Sequence, residues 1–311
     1  MRITNGMAAR RTLRDIDTAH QKLLTTSYSY GSGKKNQFAY DDPVAANLLS
    51  RLNNDKKNLT KYYSNIDNAR SAISDTETAL TDINKCMLKI IELANSANNE
   101  TLPKSGKVAI ADEILQYKEQ IISDLNYSSS GIFIFGGFST KTSPIKEVAG
   151  TYLYNGLDIE SMDQAQRDFE ITQKVRVNIS KGMNMDIRVS ALEIMGSGPD
   201  NLLTTLDNIT NEILADDFDI EKYKDLGKVL EDNYDRILGH LTKIGTAANR
   251  LDSVHTQLKS REETLKTRIS DIEDMEIEEA IINYKLAEQA YEAALSASVS
   301  VIQLSLLDFI R

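Results

Sequence analysis

The side chains in this 311-residue chain that could do acid–base, nucleophilic or metal chemistry are few, and their spacing sets them apart. His20, His240 and His255 are the three histidines, none lies in an H-E-x-x-H pattern, and Cys86 is the single cysteine. A zinc site needs several such ligands at short spacings, and an intrachain disulfide needs a second thiol. Cys86 therefore reads as a small core or groove residue. Gly31-Ser32-Gly33-Lys34 has the residue types of a phosphate loop but neither the GxxxxGK[ST] spacing nor a preceding strand. Asp216, Asp217 and Asp219 could offer carboxylates to calcium, yet the glycine and the ligand series of a calcium loop are missing, so they read as a solvated turn. Glu262, Glu263, Glu278 and Glu279 read as solvated helix faces. The expectation is a chain with no catalytic residues, no metal and no cofactor, and so not an enzyme.

Charge narrows the partners. The net charge is −10, but residues 1–40 carry +5 and residues 271–311 carry −7. Arg2, Arg10, Arg11 and Arg14 could contact nucleic acid, and the acidic remainder argues against it. The simpler reading is that the two ends associate with each other, or with their counterparts in neighbouring subunits. No apolar run approaches the ~20 residues that cross a bilayer, and the polar, Arg-rich start lacks the apolar stretch of a secretory signal peptide. Composition alone thus points to a soluble intracellular protein.

The elements that carry these residues are long helices. Leu52, Leu59, Ile66, Ile73, Leu80, Met87 and Ala94 recur every seven residues, accompanied by Leu48, Tyr62, Ala69, Ile83, Ile90 and Ala97. A second ladder runs through Tyr223, Leu230, Ile237, Ile244, Leu251, Leu258, Leu265 and Ile272, with Tyr234, Leu241, Ala248 and Ile269 beside it. A seven-residue repeat keeps one seam of a helix against a partner helix. No Gly or Pro interrupts the 59 residues between Pro43 and Pro103 or the 66 after Gly245, room for helices of roughly 90 to 100 Å at 1.5 Å per residue. Asp42 before Pro43 predicts a capped helix start. Helices are also expected over residues 1–30, from Lys107 to Tyr127 with Ile110, Ile114, Tyr117, Ile121 and Leu125 on one side, from Asn201 onward, and over the last 41 residues. The terminal ones carry narrow apolar stripes: Leu13, Ile16 and Leu23 at one end, and Ile277, Ile281, Tyr284, Tyr291, Leu295, Ile302 and Phe309 at the other.

The middle differs. Eight of the 15 Gly and two of the four Pro lie in residues 131–199. Ile132 to Phe135, Thr151 to Tyr154 before Asn155-Gly156, and Lys174 to Ile179 have the patterns of strands and of a hairpin turn. The fold class expected is mainly α, a long antiparallel helical coiled-coil bundle with a small β-rich insertion. The chain divides into residues 1–40 with 271–311, residues 41–140 with 197–270, and the insertion, 141–196, expected to fold as a separate surface module.

Short motifs in a fixed order then point to a family. Met1-Arg2-Ile3-Thr4, Gly31-Ser32-Gly33-Lys34, Asp41-Asp42-Pro43-Val44-Ala45-Ala46, Asn65-Ile66-Asp67-Asn68-Ala69-Arg70 and Ile132 to Gly136-Gly137 resemble the N-terminal region of bacterial flagellins and their relatives. Ile244-Gly245, Asn249-Arg250-Leu251, Ser270 to Asp274 and Ser305-Leu306-Leu307-Asp308-Phe309 resemble the C-terminal region. The resemblance spares only 141–196. The Met1-Arg2 opening, Phe135-Gly136-Gly137 and the Leu306-Leu307-Asp308-Phe309 ending look like the hook–filament junction branch of the family.

The resemblance implies a structural part of the bacterial flagellum, exported unfolded through the flagellar type III apparatus without a cleaved signal peptide, which reverses the intracellular reading. It implies a self-assembled ring between the first hook-associated protein and flagellin, and an export chaperone. It further implies terminal helices pairing in an inner tube, a central bundle in an outer tube, and 141–196 projecting outward. The assembly interface is expected at Ile3, Leu13, Ile16, Leu23, Ile277, Ile281, Tyr284, Tyr291, Leu295, Ile302, Leu306, Leu307 and Phe309, with the ends becoming ordered on assembly. The alternatives are a minor flagellin and a cytoplasmic coiled-coil scaffold.

Overall fold

The computed structural model describes residues 5–99 and 102–309; for residues 5, 6, 8, 9 and 300–309 it describes the backbone alone. Helix α1 (Asn5–Ser32) stops at Gly33, whose φ of 70° turns its N–H back onto the Ser29 carbonyl at 2.8 Å. Helix α2 (Pro43–Ala97) begins where the sequence predicts: the Asp42 carboxylate accepts from the N–H groups of Val44 (3.1 Å) and Ala45 (2.9 Å), and Pro43 takes the first helical position. Helix α3 (Lys104–Leu125) follows Pro103.

A β-rich stretch comes next. Strands β1 (Ser128–Ser129) and β2 (Ile132–Phe133) pair antiparallel, and β3 (Ile145–Val148), β4 (Thr151–Tyr154) and β5 (Leu157–Asp158) form an antiparallel sheet in that order. Asn155 and Gly156, at φ of 50° and 91°, make the turn between β4 and β5. Helix α4 (Gln164–Thr172), the hairpin of β6 (Arg176–Ser180) and β7 (Met183–Asp186), and the short α5 (Ala191–Met195) complete it. The sequence pattern missed both helices. Each starts from a reciprocal cap, Asp163 with Gln166 and Ser190 with Glu193, a polar signal that apolar periodicity passes over. Asn201 caps α6 (Leu202–Leu214), and Asp219 caps α7 (Ile220–Glu273) through the N–H groups of Glu221 and Lys222. Helix α8 (Ile277–Phe309) is last. The fold is mainly α with a small β-rich part.

The chain forms two compact units, residues 60–258 and residues 1–59 with 259–311. In the first, Ile66, Ile73, Leu80, Met87 and Ala94 of α2 are buried with Ile114, Ile121 and Leu125 of α3, Leu203 and Leu206 of α6, and Leu230, Ile237, Ile244 and Leu251 of α7. The first ladder is therefore core, and so is the second as far as Leu258, beyond which Leu265 and Ile272 are half-buried. The companion row on α7 lies one residue earlier than the apolar pattern predicts: Tyr234, Leu241 and Ala248 are half-buried, whereas Asn233, His240 and Val254 are buried. Asn233 escapes an apolar search because it is polar. Its amide is satisfied by the carbonyls of Val229 (2.8 Å) and Asp200 (3.1 Å). Leu48, in the companion row on α2, is exposed.

The β-rich segment does not stand apart from these helices. The Tyr152 hydroxyl donates to Asp207 of α6 at 2.5 Å, and Lys118 of α3 donates to Tyr152 (2.9 Å) and Asp207 (2.6 Å). Asn126 exchanges two hydrogen bonds with the backbone of Ile145, and the Ala191 N–H reaches the Phe135 carbonyl. These hydrogen bonds tie the segment to the helices it was expected to project from. In the second unit, the helix expected over the last 41 residues is interrupted at residues 274–276, where the chain leaves α7 and bridges to Lys34 before α8 begins.

Candidate assembly interface

Helices α1 and α8 pair antiparallel over much of their length. The rings of His20 and Tyr291 lie 5.3 Å apart, those of Tyr30 and Tyr284 stack at 5.6 Å, and Lys34 bridges Asp274. The seam on α8 follows alternating steps of four and three through Ala280, Tyr284, Ala287, Tyr291, Ala294 and Ser298, all buried or half-buried. On α1 the matching seam is Thr12, Ile16, Ala19, Leu23 and Thr26, ending at the buried Ser29. Small residues alternating with tyrosines let the two backbones approach while the rings fill the space between turns.

This choice of seam decides where the large aliphatics go. Ile277 (70% exposed), Ile281, Ile282, Leu286, Leu295 and Val299 of α8 face away from α1, as do Met7, Leu13 and Leu24 of α1. A lone pair of helices leaving so many large apolar side chains in water is a surface that awaits a partner. Of the residues predicted for the interface, Ile16, Leu23, Tyr284 and Tyr291 lie in the seam within one chain. Leu13, Ile277, Ile281 and Leu295 lie on the outward faces. Ile3 is outside the described residues, as are the side chains of Ile302, Leu306, Leu307 and Phe309. Sequence reasoning missed Ile282, Leu286 and Val299 on α8, because it followed a single stripe of period 3.5 where the helix uses two faces.

The turn beside the pair is held by backbone and charge together. The Lys35 N–H donates to the Glu273 carbonyl and the Met275 N–H to the Gly33 carbonyl, both at 2.8 Å. The Lys34 ammonium pairs with the Glu273 carboxylate, which raises the lysine pKa above its ordinary value, and the Lys35 ammonium reaches the Asp271 carbonyl at 2.7 Å. Asp41 accepts from the N–H groups of Gln37 (3.0 Å) and Phe38 (2.8 Å), tightening the loop that Asp42 and Pro43 convert into α2. Phe38 and Tyr40 stack at 5.1 Å and stay exposed. Gly31-Ser32-Gly33-Lys34 is thus a helix end and a bridge.

The other motif positions are structural. The Asn65 amide donates to the Asn178 carbonyl at 2.7 Å, fixing the β6–β7 hairpin to α2. A Cβ on Gly136 would stand 2.2 Å from the Ser139 carbonyl oxygen, and one on Gly137, at φ 62°, would stand 2.9 Å from the Tyr154 hydroxyl. Among the described residues no group of three His, Cys, Asp or Glu could hold a metal ion, and no helix is long and apolar enough to cross a membrane.

Comparison with known proteins gives this helix pair a context. Residues 3–140 match the bacterial flagellin N-terminal helical region, and residues 228–310 match the bacterial flagellin C-terminal helical region. The chain belongs to the flagellin family. Within it, flagellar hook-associated protein 3 of Escherichia coli (strain K12) is 23% identical over 318 residues, 98% of each chain. A phase 1 flagellin of Salmonella naestved is 29% identical over 110 residues, 35% of this chain and 22% of the flagellin. The likeness to the hook-associated protein runs end to end, whereas that to the flagellin covers about a third of this chain. A putative flagellar hook-associated protein from Vibrio parahaemolyticus shares the fold, with a TM-score of 0.65 at 23% identity over 75% of this chain and 100% of that one.

Proposed function

We propose that this chain is a structural component of the bacterial flagellum, an adaptor that joins the hook-associated ring to the flagellin filament by self-assembly through its paired terminal helices. The observation that carries this reading is the α1–α8 pair, whose seam uses small residues and leaves the large aliphatics of both helices outward. The end-to-end likeness to hook-associated protein 3 supports the adaptor role over that of a filament subunit.

On this reading residues 1–40 with 271–311 build the inner tube, residues 41–140 with 197–270 the outer tube, and residues 141–196 the outward-facing part. Its partners are further copies of itself, the first hook-associated protein, flagellin, and an export chaperone with the type III apparatus. It works outside the cell and reaches its place without a cleaved signal peptide. Its role is architectural and not catalytic.

Deleting the gene tests this. Loss of an adaptor leaves hooks in place while filament protein escapes into the medium. Altered filaments that remain attached would instead identify a minor flagellin, the reading favoured by the 110-residue match to flagellin.

A further inference from the structure

The Asn249-Arg250-Leu251 motif is only half absorbed by the core. Leu251 is buried, but Arg250 is exposed and makes no ion pair among the described residues. It lines a cleft of about 470 Å³ between α7 and the β6–β7 hairpin, with Lys243, Thr246, Arg176, Asn184 and Asp186 around it and Met185 and Ala247 beneath. Lys243, Thr246, Ala247 and Arg250 follow steps of three and four, so they share one face of α7. Arg176 and Asp186 are cross-strand partners, and Asn184, two residues before Asp186, lies on the same face of the hairpin.

The charge in this cleft is unbalanced. Three cations face a single carboxylate, in a chain whose net charge is −10. Asp186 is engaged by Nε of Arg176 at 3.2 Å. Lys243 and Arg250 have no such partner among the described residues. The positions three and four residues to either side of each on α7 hold no carboxylate, while nearby Asp252 pairs with Arg70 and Glu193 with Lys174. Positive charge from two elements thus remains unneutralised, the Asn184 amide and the Thr246 hydroxyl add donors, and buried Met185 supplies an apolar floor.

The spacing indicates the shape of what fits. Lys243 and Arg250 stand two helical turns apart, about 10 Å along α7. A polyproline-type segment has three residues per turn and rises about 3.1 Å per residue, so carboxylates three positions apart lie on one side about 9 Å from each other. The charged side chains that line the cleft are exposed, so a lone small anion there competes with water at every contact. A chain bearing several carboxylates makes its second contact intramolecularly.

We propose that this cleft is a docking site for an extended acidic segment of a partner protein, whose carboxylates are taken by Arg250, Lys243 and Arg176. The acidic surface elsewhere disfavours such a segment and so directs it here. The site lies within residues 60–258 and does not depend on the reading of the terminal helices.

The test measures fluorescence anisotropy of a labelled peptide of three Glu-Pro-Pro repeats with the full chain, at low and at physiological salt. The same peptide with Gln in place of Glu is the neutral comparison. K243E/R250E should weaken binding of the acidic peptide at least about tenfold at low salt. K146E/K224E, which reverses two exposed lysines elsewhere in the same unit, should weaken it less than about threefold. Helical circular dichroism checks each variant, and K243Q/R250Q replaces the reversal should it lose helix. Physiological salt should weaken the acidic peptide and leave the neutral one unbound. Equal losses in the two reversed variants, or no binding by the wild type, would overturn the proposal. Citrate binding as tightly as the peptide would overturn it in favour of a free anion. Self-association in sedimentation velocity that K243E/R250E abolishes, without peptide binding, would overturn it in favour of a second copy.

Discussion

Replacing Gly196 by alanine should unsettle the junction between the β-rich segment and α7. Gly196 sits at φ 79°, ψ −177°, a region essentially reserved for glycine. A Cβ there would stand 2.2 Å from Nη1 and 2.9 Å from Cζ of Arg236. That guanidinium is half-buried, with its pKa pressed below the ordinary value by burial, and donates to the Met195 carbonyl (2.9 Å) and the Asn233 carboxamide oxygen (2.7 Å). Two costs follow. Backbone strain contributes about 1–3 kcal/mol, and pushing Arg236 off its acceptors forfeits charged hydrogen bonds of about 1.5–3 kcal/mol each, part of which water returns. Gly196→Ala should therefore cost about 3–5 kcal/mol. In an Arg236→Ala background the clash disappears and only the strain of about 1–3 kcal/mol should remain, leaving a coupling of at least about 1.5 kcal/mol. Urea unfolding of the four forms, followed by helical circular dichroism, measures both quantities. A cost under about 1 kcal/mol in the parent, or the same cost in both backgrounds, would refute this account of the site.

His240 is buried in its neutral form, with its pKa lowered by burial first and by Lys243 and Lys174, while Glu193 acts in the opposite direction. Its stabilisation is complete above the unfolded-state pKa of about 6.5 and declines as pH falls below it; His240→Phe should flatten that decline in pH-dependent melts, and an unchanged slope would exclude the residue as its source. Tyr152→Phe removes the hydroxyl between Lys118 and Asp207 and should cost about 1–3 kcal/mol, whereas Tyr234→Phe, half-buried in the companion row that the sequence predicts, should cost under about 0.5 kcal/mol on the same urea curves. Hydrogen exchange should find residues 1–40 and 271–311 less protected than 60–97 in the isolated chain and gaining protection on assembly; equal slow exchange from the start would end the case for ordering on assembly.

The long helices were legible because heptad spacing is a one-dimensional record of a three-dimensional seam. Ile66 to Ala94 and Leu230 to Leu258 are buried as the spacing requires, and Asp42-Pro43 marks a helix start through local hydrogen bonds alone. What the sequence concealed was of two kinds. Polar residues that are buried because distant groups satisfy them, such as Asn233 and Lys118, leave no apolar signature. On α8, both the alanine–tyrosine row and the aliphatic row are apolar, so periodicity could not say which meets α1 and which faces outward. The turn at 274–276 was hidden for a related reason: it contains neither Gly nor Pro and is held by Gly33, Lys34 and Lys35 from the far end of the chain.

That last contact also constrains the order of folding. Lys34 and Glu273 are 239 residues apart in sequence, and joining such distant points before the intervening chain has collapsed carries the full entropy of closing a very long loop. Contacts inside the unit of residues 60–258, such as Tyr223 with Ala94 at a separation of 129 residues, close shorter loops, and once it has formed the effective loop is far shorter. Collapse should therefore begin in the middle and finish at the two ends. For a chain that emerges with its amino terminus leading, α1 must wait without its partner until α8 has arrived, so the terminal pair closes after the central unit.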